Sequence, residues 1–309
     1  MVGDTSVQGG GIFAPGNGAG TFMTVGGDLT LNQGAIYRVA ITPTTAPSYA
    51  QVTGAANLNG ATVSVQATGV VGDYTLGAQY TILHSTGGVT GQFNPVVTSN
   101  LAFLNAELDY TGTDVFLTLV RNTTSFGGII GGTPNQRATG TGILGSGAVF
   151  NAVVGLSAPQ ALAAYDQLSG EIHASTQTAL MADSHFLRDL AFDRLRFAQN
   201  GADSEKLAAS GMLLAYAGDD LGSLTSPSSD PERGVMWART FGSWGTFDGD
   251  GNAASLDRDT GGMLFGADGS LGGWRIGALA GVSQTDLDVS RRRSSADSDN
   301  YHLGLYAGT

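Results

Sequence analysis

The sequence predicts a mainly β protein in which a stack of short strands, a helical segment and a set of longer antiparallel strands follow one another. Three observations support this prediction. A motif recurs after about 26 to 27 residues near the N-terminus, the apolar spacing becomes helical near residue 157, and it alternates with a period of two from residue 235 onward. Helices and strands repeat their apolar side chains with different periods, so each change of period marks a boundary between regions.

The composition excludes several classes of protein. The 309 residues include 48 glycines and no cysteine, and the net charge is −12. Without cysteine, the chain forms neither disulfides nor cysteine zinc sites. The scarcity of basic residues argues against nucleic-acid binding, because neutralising phosphates requires clustered Lys and Arg. No run of about 20 apolar residues predicts a transmembrane helix, and the first residues lack the pattern of a signal peptide.

Residues 1–125 have the composition of strands and turns. The repeated motif begins at Val25 and again at Val52, with Gly two residues later in each copy. Alternation over residues 37–41 gives each unit one apolar strand face that a single unit cannot bury. Stacking the units in a solenoid buries that face, and a β-sandwich of regular hairpins is the alternative that the spacing leaves open.

A cap of further strands is predicted at about residues 70–121, because an open solenoid end exposes unpaired strand edges. Strands are expected near residues 80–83, 101–108 and 115–120, and the last shows the clearest alternation. The residues assigned to the core of this cap are Tyr80, Ile82, Phe93, Val115, Leu117 and Leu119.

A Gly/Thr/Ser-rich linker is predicted for residues 126–156, followed by a helical segment over residues 157–200. Ser157 and Gln160 form a capping box, and Gly170 interrupts the helical pattern. The many charged side chains beyond Gly170 exclude a lipid-exposed helix, so this helix lies in water, in protein or in a water-filled pore. The residues assigned to the pore helix are Glu171, Ile172, Ala179, Phe186, Leu190 and Arg194.

After a loop at residues 201–234, the remaining residues 235–309 predict four strands. These are expected at residues 235–247, about 261–270, 274–289 and 300–308. Each is long enough for a tilted transmembrane strand, with an apolar face opposite a small or polar one. The connections are expected to be long, tight and long in turn, at residues 248–259, 271–273 and 290–299.

The face pattern of these strands assigns one side to lipid. The lipid-facing residues are Trp274, Ile276, Ala278, Ala280, Tyr301, Leu303 and Leu305. The first strand is ambiguous, because Arg239 and Ser243 share a face with Trp237 and Phe241.

Motifs for catalysis and cofactors were weighed against ordinary structural roles. Residues 140–145 match a GxGxxG pattern but have no preceding strand, and the calcium-like loop from Asp248 lacks the required Gly and final Glu. We therefore expect no enzyme, no cofactor and no metal. Carboxylates that could line a polysaccharide-cleaving groove are Asp28, Asp73, Glu107, Asp109 and Asp114.

Segments along nearly the whole chain resemble autotransporters of the type V secretion family. The repeat that closes many passengers resembles residues 13–21 with 27–31, and the autochaperone end resembles residues 80–83, 91–93 and 114–119. The segment entering the translocator resembles residues 168–175, 188–189 and 194–196. The opening barrel strands resemble residues 235–245 with 298–306.

The resemblance implies the end of a right-handed parallel β-helix passenger with an autochaperone cap, a linker helix in the pore, and the first four strands of a twelve-stranded outer-membrane barrel. It implies a bacterial outer-membrane location with the passenger at the cell surface. The implied partners are outer-membrane lipid, the barrel-assembly machinery and periplasmic chaperones. Because four strands cannot close a barrel, we expect a fragment truncated at both ends.

The implied function is translocation and display of the protein's own passenger, with no covalent catalysis in this segment. Two alternatives stay open. One is a trimeric-type or monomeric surface adhesin that uses the barrel only as an anchor, and the other is a β-helical polysaccharide-active enzyme.

Overall fold

The computed structural model describes residues 1–68, 74–200, 212–215 and 234–309, with side chains described except at 197–200 and 212–215. The chain forms two compact units, Met1–Ser169 and Gly170–Thr309. Asp73 and most of the loop predicted at residues 201–234 lie outside the described residues.

The first unit begins with short strands that pair in parallel between successive turns of the chain. Their bounds are β1 (Thr5–Val7), β2 (Ile12–Phe13), β3 (Phe22–Val25), β4 (Leu29–Leu31), β5 (Ile36–Ile41), β6 (Tyr49–Val52), β7 (Ala56–Asn57), β8 (Thr62–Ala67), β9 (Gln79–Ser85), β10 (Val89–Thr90) and β11 (Thr98–Ser99). They stack in the orders β1-β4-β7-β10, β2-β5-β8-β11 and β3-β6-β9.

The observed register reproduces the sequence repeat. Val25 pairs with Val52 and Tyr37 with Val63, all with buried side chains. At the centre, the Tyr37 hydroxyl donates to the Ile82 carbonyl oxygen at 2.6 Å, and burial raises the pKa of Tyr37 well above its usual range. The parallel pairing differs from the hairpins of the sandwich alternative.

An antiparallel hairpin follows the parallel strands. Its strands, β12 (Leu104–Tyr110) and β13 (Asp114–Arg121), extend the third sheet, because β13 pairs antiparallel with β9. Parallel pairing continues as far as Ser99, inside the segment predicted as the cap.

The segment predicted as a linker is helical and packed. Helices α1 (Pro134–Thr141), α2 (Ala148–Val154) and α3 (Ala158–Leu168) follow the hairpin, with capping boxes at Thr133 and Ser157. The glycine-rich composition concealed a few well-placed apolar residues, such as Phe126 and Val153, that are buried in the same core as the cap. Helix α3 also belongs to the first unit, so residues 157–200 are not one segment.

The second unit consists of a long helix and an antiparallel sheet. Helix α4 (Glu171–Asn200) begins after Gly170, which has φ +64°. The sheet has the order β14 (Met212–Ala215), β15 (Val235–Phe247), β16 (Leu256–Leu271), β17 (Trp274–Val289) and β18 (Ser294–Gly308). No helix in the described residues is long and apolar enough to cross a membrane.

Two strands have the predicted bounds, residues 235–247 and 274–289, whereas the other two are longer than predicted. β16 begins at Leu256 and β18 at Ser294, so only residues 248–255 and 290–293 connect the strands there. Some charged residues of the predicted connections, such as Asp257 and Asp297, therefore lie in strands, whereas Asp250 and Arg291 stay in the connections. The predicted tight turn is present at Gly272 and Gly273, whose positive φ angles suit a two-residue hairpin turn.

Candidate functional site: the helix and the inner face of the sheet

The antiparallel sheet has two chemically different faces. Along β17, buried residues alternate with exposed ones, and we call the buried side the inner face and the other the outer face. The residues assigned to lipid lie on the outer face and are all exposed, with Trp274 at 52% and Leu303 at 87%. An exposed band of apolar side chains of this kind is typical of the lipid-facing side of a transmembrane sheet.

Helix α4 covers the inner face. Ala179, Leu190 and Arg194 are buried there, whereas Glu171, Ile172 and Phe186 are half-buried. Ile172 packs against Leu256, Leu287 and Val289, and Phe186 stacks on Phe241 with ring centroids 5.8 Å apart. The helix residues predicted for a pore therefore contact the sheet directly.

Asp268 on β16 is the centre of one polar cluster of this interface. Arg194 of α4 holds it with two bonds, Nε to Oδ2 at 2.7 Å and Nη2 to Oδ1 at 2.9 Å. Arg275 donates from Nε to Oδ1 at 2.5 Å, and the Tyr306 hydroxyl donates to Oδ2 at 2.7 Å. Arg194 is 3% and Asp268 5% exposed, so this is a buried ion pair with most of its hydrogen-bonding capacity used.

Asp183 forms a second polar cluster. Arg258 pairs with one of its oxygens, while the Thr260 and Thr285 hydroxyls donate to the other at 2.9 and 3.2 Å. These partners come from two neighbouring strands, β16 and β17. A carboxylate in the middle of α4 is thus held by the sheet at two points.

Glu171, the first residue of α4, forms a third cluster. Its carboxylate accepts from the Ala254 backbone N–H at 2.6 Å and from Arg292 Nε at 3.0 Å. Arg292 also donates to the Asn252 carbonyl, so it joins the two hairpin connections to the helix. Such a carboxylate in the first turn is favoured by the helix dipole as well.

Strand β15, whose faces were ambiguous in the sequence, presents both aromatic and charged side chains on the inner face. Trp237 is buried and donates from Nε1 to the Tyr306 hydroxyl at 2.8 Å, and Arg239 pairs with Asp193 at 3.4 Å. A Cβ at Gly266 would overlap the Trp237 ring, and one at Gly277 would overlap the Tyr306 ring. Glycines on the inner face therefore leave room for the rings of neighbouring strands.

Sequence reasoning assigned Glu171 and Arg194 to the site but missed their partners. The missed residues are Asp183, Trp237, Arg258, Thr260, Asp268, Arg275, Thr285, Arg292 and Tyr306. A signal was present in the sequence, because single charged residues on the small or polar face of a lipid-spanning strand require partners.

In the first unit, most residues predicted for the cap core are buried. Ile82, Phe93, Val115, Leu117 and Leu119 lie in the apolar core. Tyr80 is the exception and is only half-buried, since the β9–β13 register shifts at Val115/Phe116 and reverses the alternation along β9. It lines a small depression open to solvent, together with Tyr74, Leu117 and Leu119, and burial raises the pKa of Tyr74 to about 12.

The described carboxylates predicted for a polysaccharide-cleaving groove have separate structural roles. Asp28 accepts from the Ala55 N–H in a turn, whereas Asp109 and Glu107 are exposed on β12. Asp114 contacts His84 Nδ1 at 2.7 Å across paired strands. The hydroxyl of Ser85 beside this pair has its single proton directed at backbone carbonyls, with Gly54 O at 2.7 Å and Gly88 O at 2.9 Å, so it is not coupled to the histidine as a nucleophile.

The pKa of the Asp114 carboxyl is nevertheless lowered by its surroundings. Burial alone would raise the pKa of Asp114, but hydrogen bonds from Thr113 and His84 outweigh burial and hold the pKa below its usual range. A carboxyl with a lowered folded-state pKa contributes stability above its unfolded pKa and loses that contribution as the pH falls through the folded pKa.

Comparison with known proteins gives two kinds of similarity. Residues 236–309 match the model of the autotransporter beta-domain family. Two proteins named extracellular serine protease, both from Serratia marcescens, are similar over longer stretches. The first is 30% identical over 349 residues, covering 96% of this chain and 31% of that protein, and the second is 28% identical over 277 residues, covering 75% and 24%. The chain thus spans less than a third of the length of these relatives.

These relatives correct the expectation that the protein is not an enzyme. Both relatives have a protease name, and the first aligns with nearly the entire chain. We based the expectation on the absence of catalytic motifs in these 309 residues. The relatives are more than three times as long, and their catalytic motifs need not lie in the part that this chain matches.

Asp268 provides a test of the helix–sheet interface. In the full-length protein in outer membranes, Asp268→Asn should destabilise the folded sheet by about 3 to 5 kcal/mol, because two buried arginines lose their common partner. Arg194→Met should cost less, since Asp268 keeps Arg275. After extraction into detergent, the temperature at which the barrel of each variant unfolds, read from its gel mobility, measures the two losses of stability. Arg188→Met, at an exposed position on α4, is the control, and equal effects of D268N and R188M would contradict this account.

Asp114 provides a pH test of the cap. The wild-type cap should lose stability as the pH falls below about 4. Asp114→Asn should remove about 1 to 2 kcal/mol at pH 7 and abolish that part of the acid dependence, because the charged hydrogen bonds are gone. Resistance to proteolysis in urea, measured from pH 3 to pH 7, gives both quantities. Glu107→Gln on the exposed side of β12 should match the wild type, and an unchanged acid limb in D114N would be inconsistent with the proposed role of Asp114.

Proposed function

Because residues 236–309 belong to the autotransporter beta-domain family, we propose that this chain is the passenger end and barrel beginning of an autotransporter whose passenger is a secreted serine protease. The autotransporter beta-domain lies in the outer membrane, and its passenger is displayed at the cell surface or secreted. The family also implies involvement of barrel-assembly machinery and chaperones.

The contact of a charged helix with the inner face of the sheet carries this proposal. Arg194 and Asp183 of α4 pair with oppositely charged side chains of the sheet, and Glu171 pairs with Arg292 in a hairpin connection. The other face of the same strands is apolar and exposed over residues 263–271, 274–282 and 301–307, and it becomes acidic towards the hairpin connections. A membrane-spanning sheet with a polar rod on its inner side is what a translocation pore containing a helix requires.

The first unit supports the passenger assignment. Its parallel strands stack in register with the sequence repeat, and we assign them to the end of a parallel β-helix. The hairpin β12–β13 closes the third of its sheets, and we assign it to the autochaperone. Apolar burial in this core favours the folded state on the aqueous side of the membrane and so draws the passenger outward.

The protease assignment rests on the relatives. The first of them aligns with 96% of this chain, and the rest of its length is large enough to contain a protease domain. This favours a protease passenger over the adhesin and the polysaccharide-active enzyme. The proposed reaction is therefore the hydrolysis of peptide bonds, with the catalytic residues outside the region that this chain covers.

Surface protease activity tests the display function. The double substitution Leu117→Asp and Leu119→Asp places two charges in the buried core of the cap and should lower surface protease activity by about tenfold or more, with the barrel still assembled. Thr118→Asp lies between them on the opposite face of β13 and is the matched control. Normal display by the double variant would refute folding-driven export.

Ion conductance tests the placement of α4. Deleting residues 171–200 from the full-length protein should raise single-channel conductance in planar bilayers, because the charged helix no longer fills the pore. The undeleted protein, purified in the same detergent, is the reference. Equal conductance of the two would place α4 outside the pore.

A further inference from the structure

The cap and the segment that follows it share one apolar cluster, which includes a chain of aromatic contacts that reaches helix α2. Phe103 precedes β12 in the cap and meets Phe126 edge-on, with centroids 4.6 Å apart. Phe126 in turn meets Phe150 of α2 edge-on at 5.5 Å. Phe103 and Phe126 are both buried, so the column of rings passes from the cap to the helices without a solvent gap.

Arg121, the last residue of β13, fixes the chain where it leaves the cap. Its Nη1 donates to the Phe103 carbonyl at 2.8 Å and to the Asn122 carbonyl at 3.0 Å, and Nη2 donates to the Thr124 carbonyl. The guanidinium also lies over the rings of Phe103 and Phe126, at 5.3 and 4.8 Å. One side chain therefore holds the cap and the first turn after it together.

Two further hydrogen bonds connect more distant parts of the same region. The Ala102 backbone N–H donates to the Leu156 carbonyl at 2.9 Å, and the Leu156 side chain is buried. The Tyr165 hydroxyl of α3 donates to the Phe126 carbonyl at 2.9 Å, and burial raises the pKa of Tyr165 to about 12. A flexible linker has no such buried polar contacts.

From these contacts we propose that the autochaperone extends beyond the cap as far as residue 168, with α1, α2 and α3 as an integral part. This inference rests on the proposed function, since it names the region that performs its folding step. Phe103 and Leu104 lie in the same apolar cluster as Phe126, Val153 and Leu156, and a hairpin that loses part of such a cluster is marginal in water. The cap strands therefore depend on the helices to stay folded.

A matched pair of leucine truncations tests this inference in the full-length protein on cells. Leu156 is 3% exposed, whereas Leu144 in the same helical region is 78% exposed. Leu156→Ala should lower the surface exposure of a tag placed before residue 1 by about tenfold or more, because truncating a buried leucine shifts the folding equilibrium by at least that factor. Leu144→Ala should display like the wild type.

A cap variant, Leu119→Ala, and the gel mobility of the barrel complete the experiment. Equal losses in L156A and L119A, with the barrel assembled, are the expected result. Loss in L119A with normal display in L156A overturns the inference and leaves the proposed function standing. Normal display in L119A overturns the proposed function itself.

Milder variants guard against gross misfolding in L156A. Tyr165→Phe removes one hydroxyl and Arg121→Lys keeps the charge but loses the planar group, so each should reduce display about three- to tenfold. Arg137→Lys, at an exposed position on α1, makes the same chemical change as R121K outside the contact and should have no effect. Wild-type display by both Y165F and R121K would contradict the proposal.

Discussion

A charged helix can lie against membrane-spanning strands only where each of its charges finds a partner, because an unpaired ion away from water is very costly. In the second unit this condition is met along much of α4. Asp183 in its middle and Arg194 towards its end bond to the sheet, and Glu171 at its start bonds to the hairpin connections. The alternation of a strand makes this compatible with lipid, since one face holds the polar partners while the other carries a band of apolar side chains.

The inner face is not uniformly polar. Trp237 and Tyr306 pack as apolar rings, yet their N–H and O–H groups complete the hydrogen-bond chain that ends on Asp268. Gly266 and Gly277 provide the space for these rings. Because aromatic side chains combine an apolar body with a polar tip, they let a sheet bury a helix closely and still satisfy the buried carboxylate.

The features that the sequence revealed are those set by local spacing. The repeat from Val25 to Val52 and the two faces of β17 could be predicted because each depends on neighbouring residues. The Arg194–Asp268 pair could not be, since it depends on how segments far apart in sequence come together. The prediction of a linker at residues 126–156 was wrong for a related reason. Glycine and threonine dominate the composition of this segment, whereas a few residues such as Phe126 determine its packing.

The two units differ in the interactions that stabilise them, and Gly170 lies at the boundary between them. Up to Leu168, the chain buries a dry apolar core that gains stability from water and needs no membrane. From Glu171 onward, helix α4 is held by apolar contacts, such as Phe186 on Phe241, and by ion pairs and hydroxyl contacts to the sheet and its hairpin connections. Gly170 separates the two helices with φ +64°, a conformation that strains other residues. Helix α3 therefore ends with the apolar core of the first unit, and α4 begins the second unit.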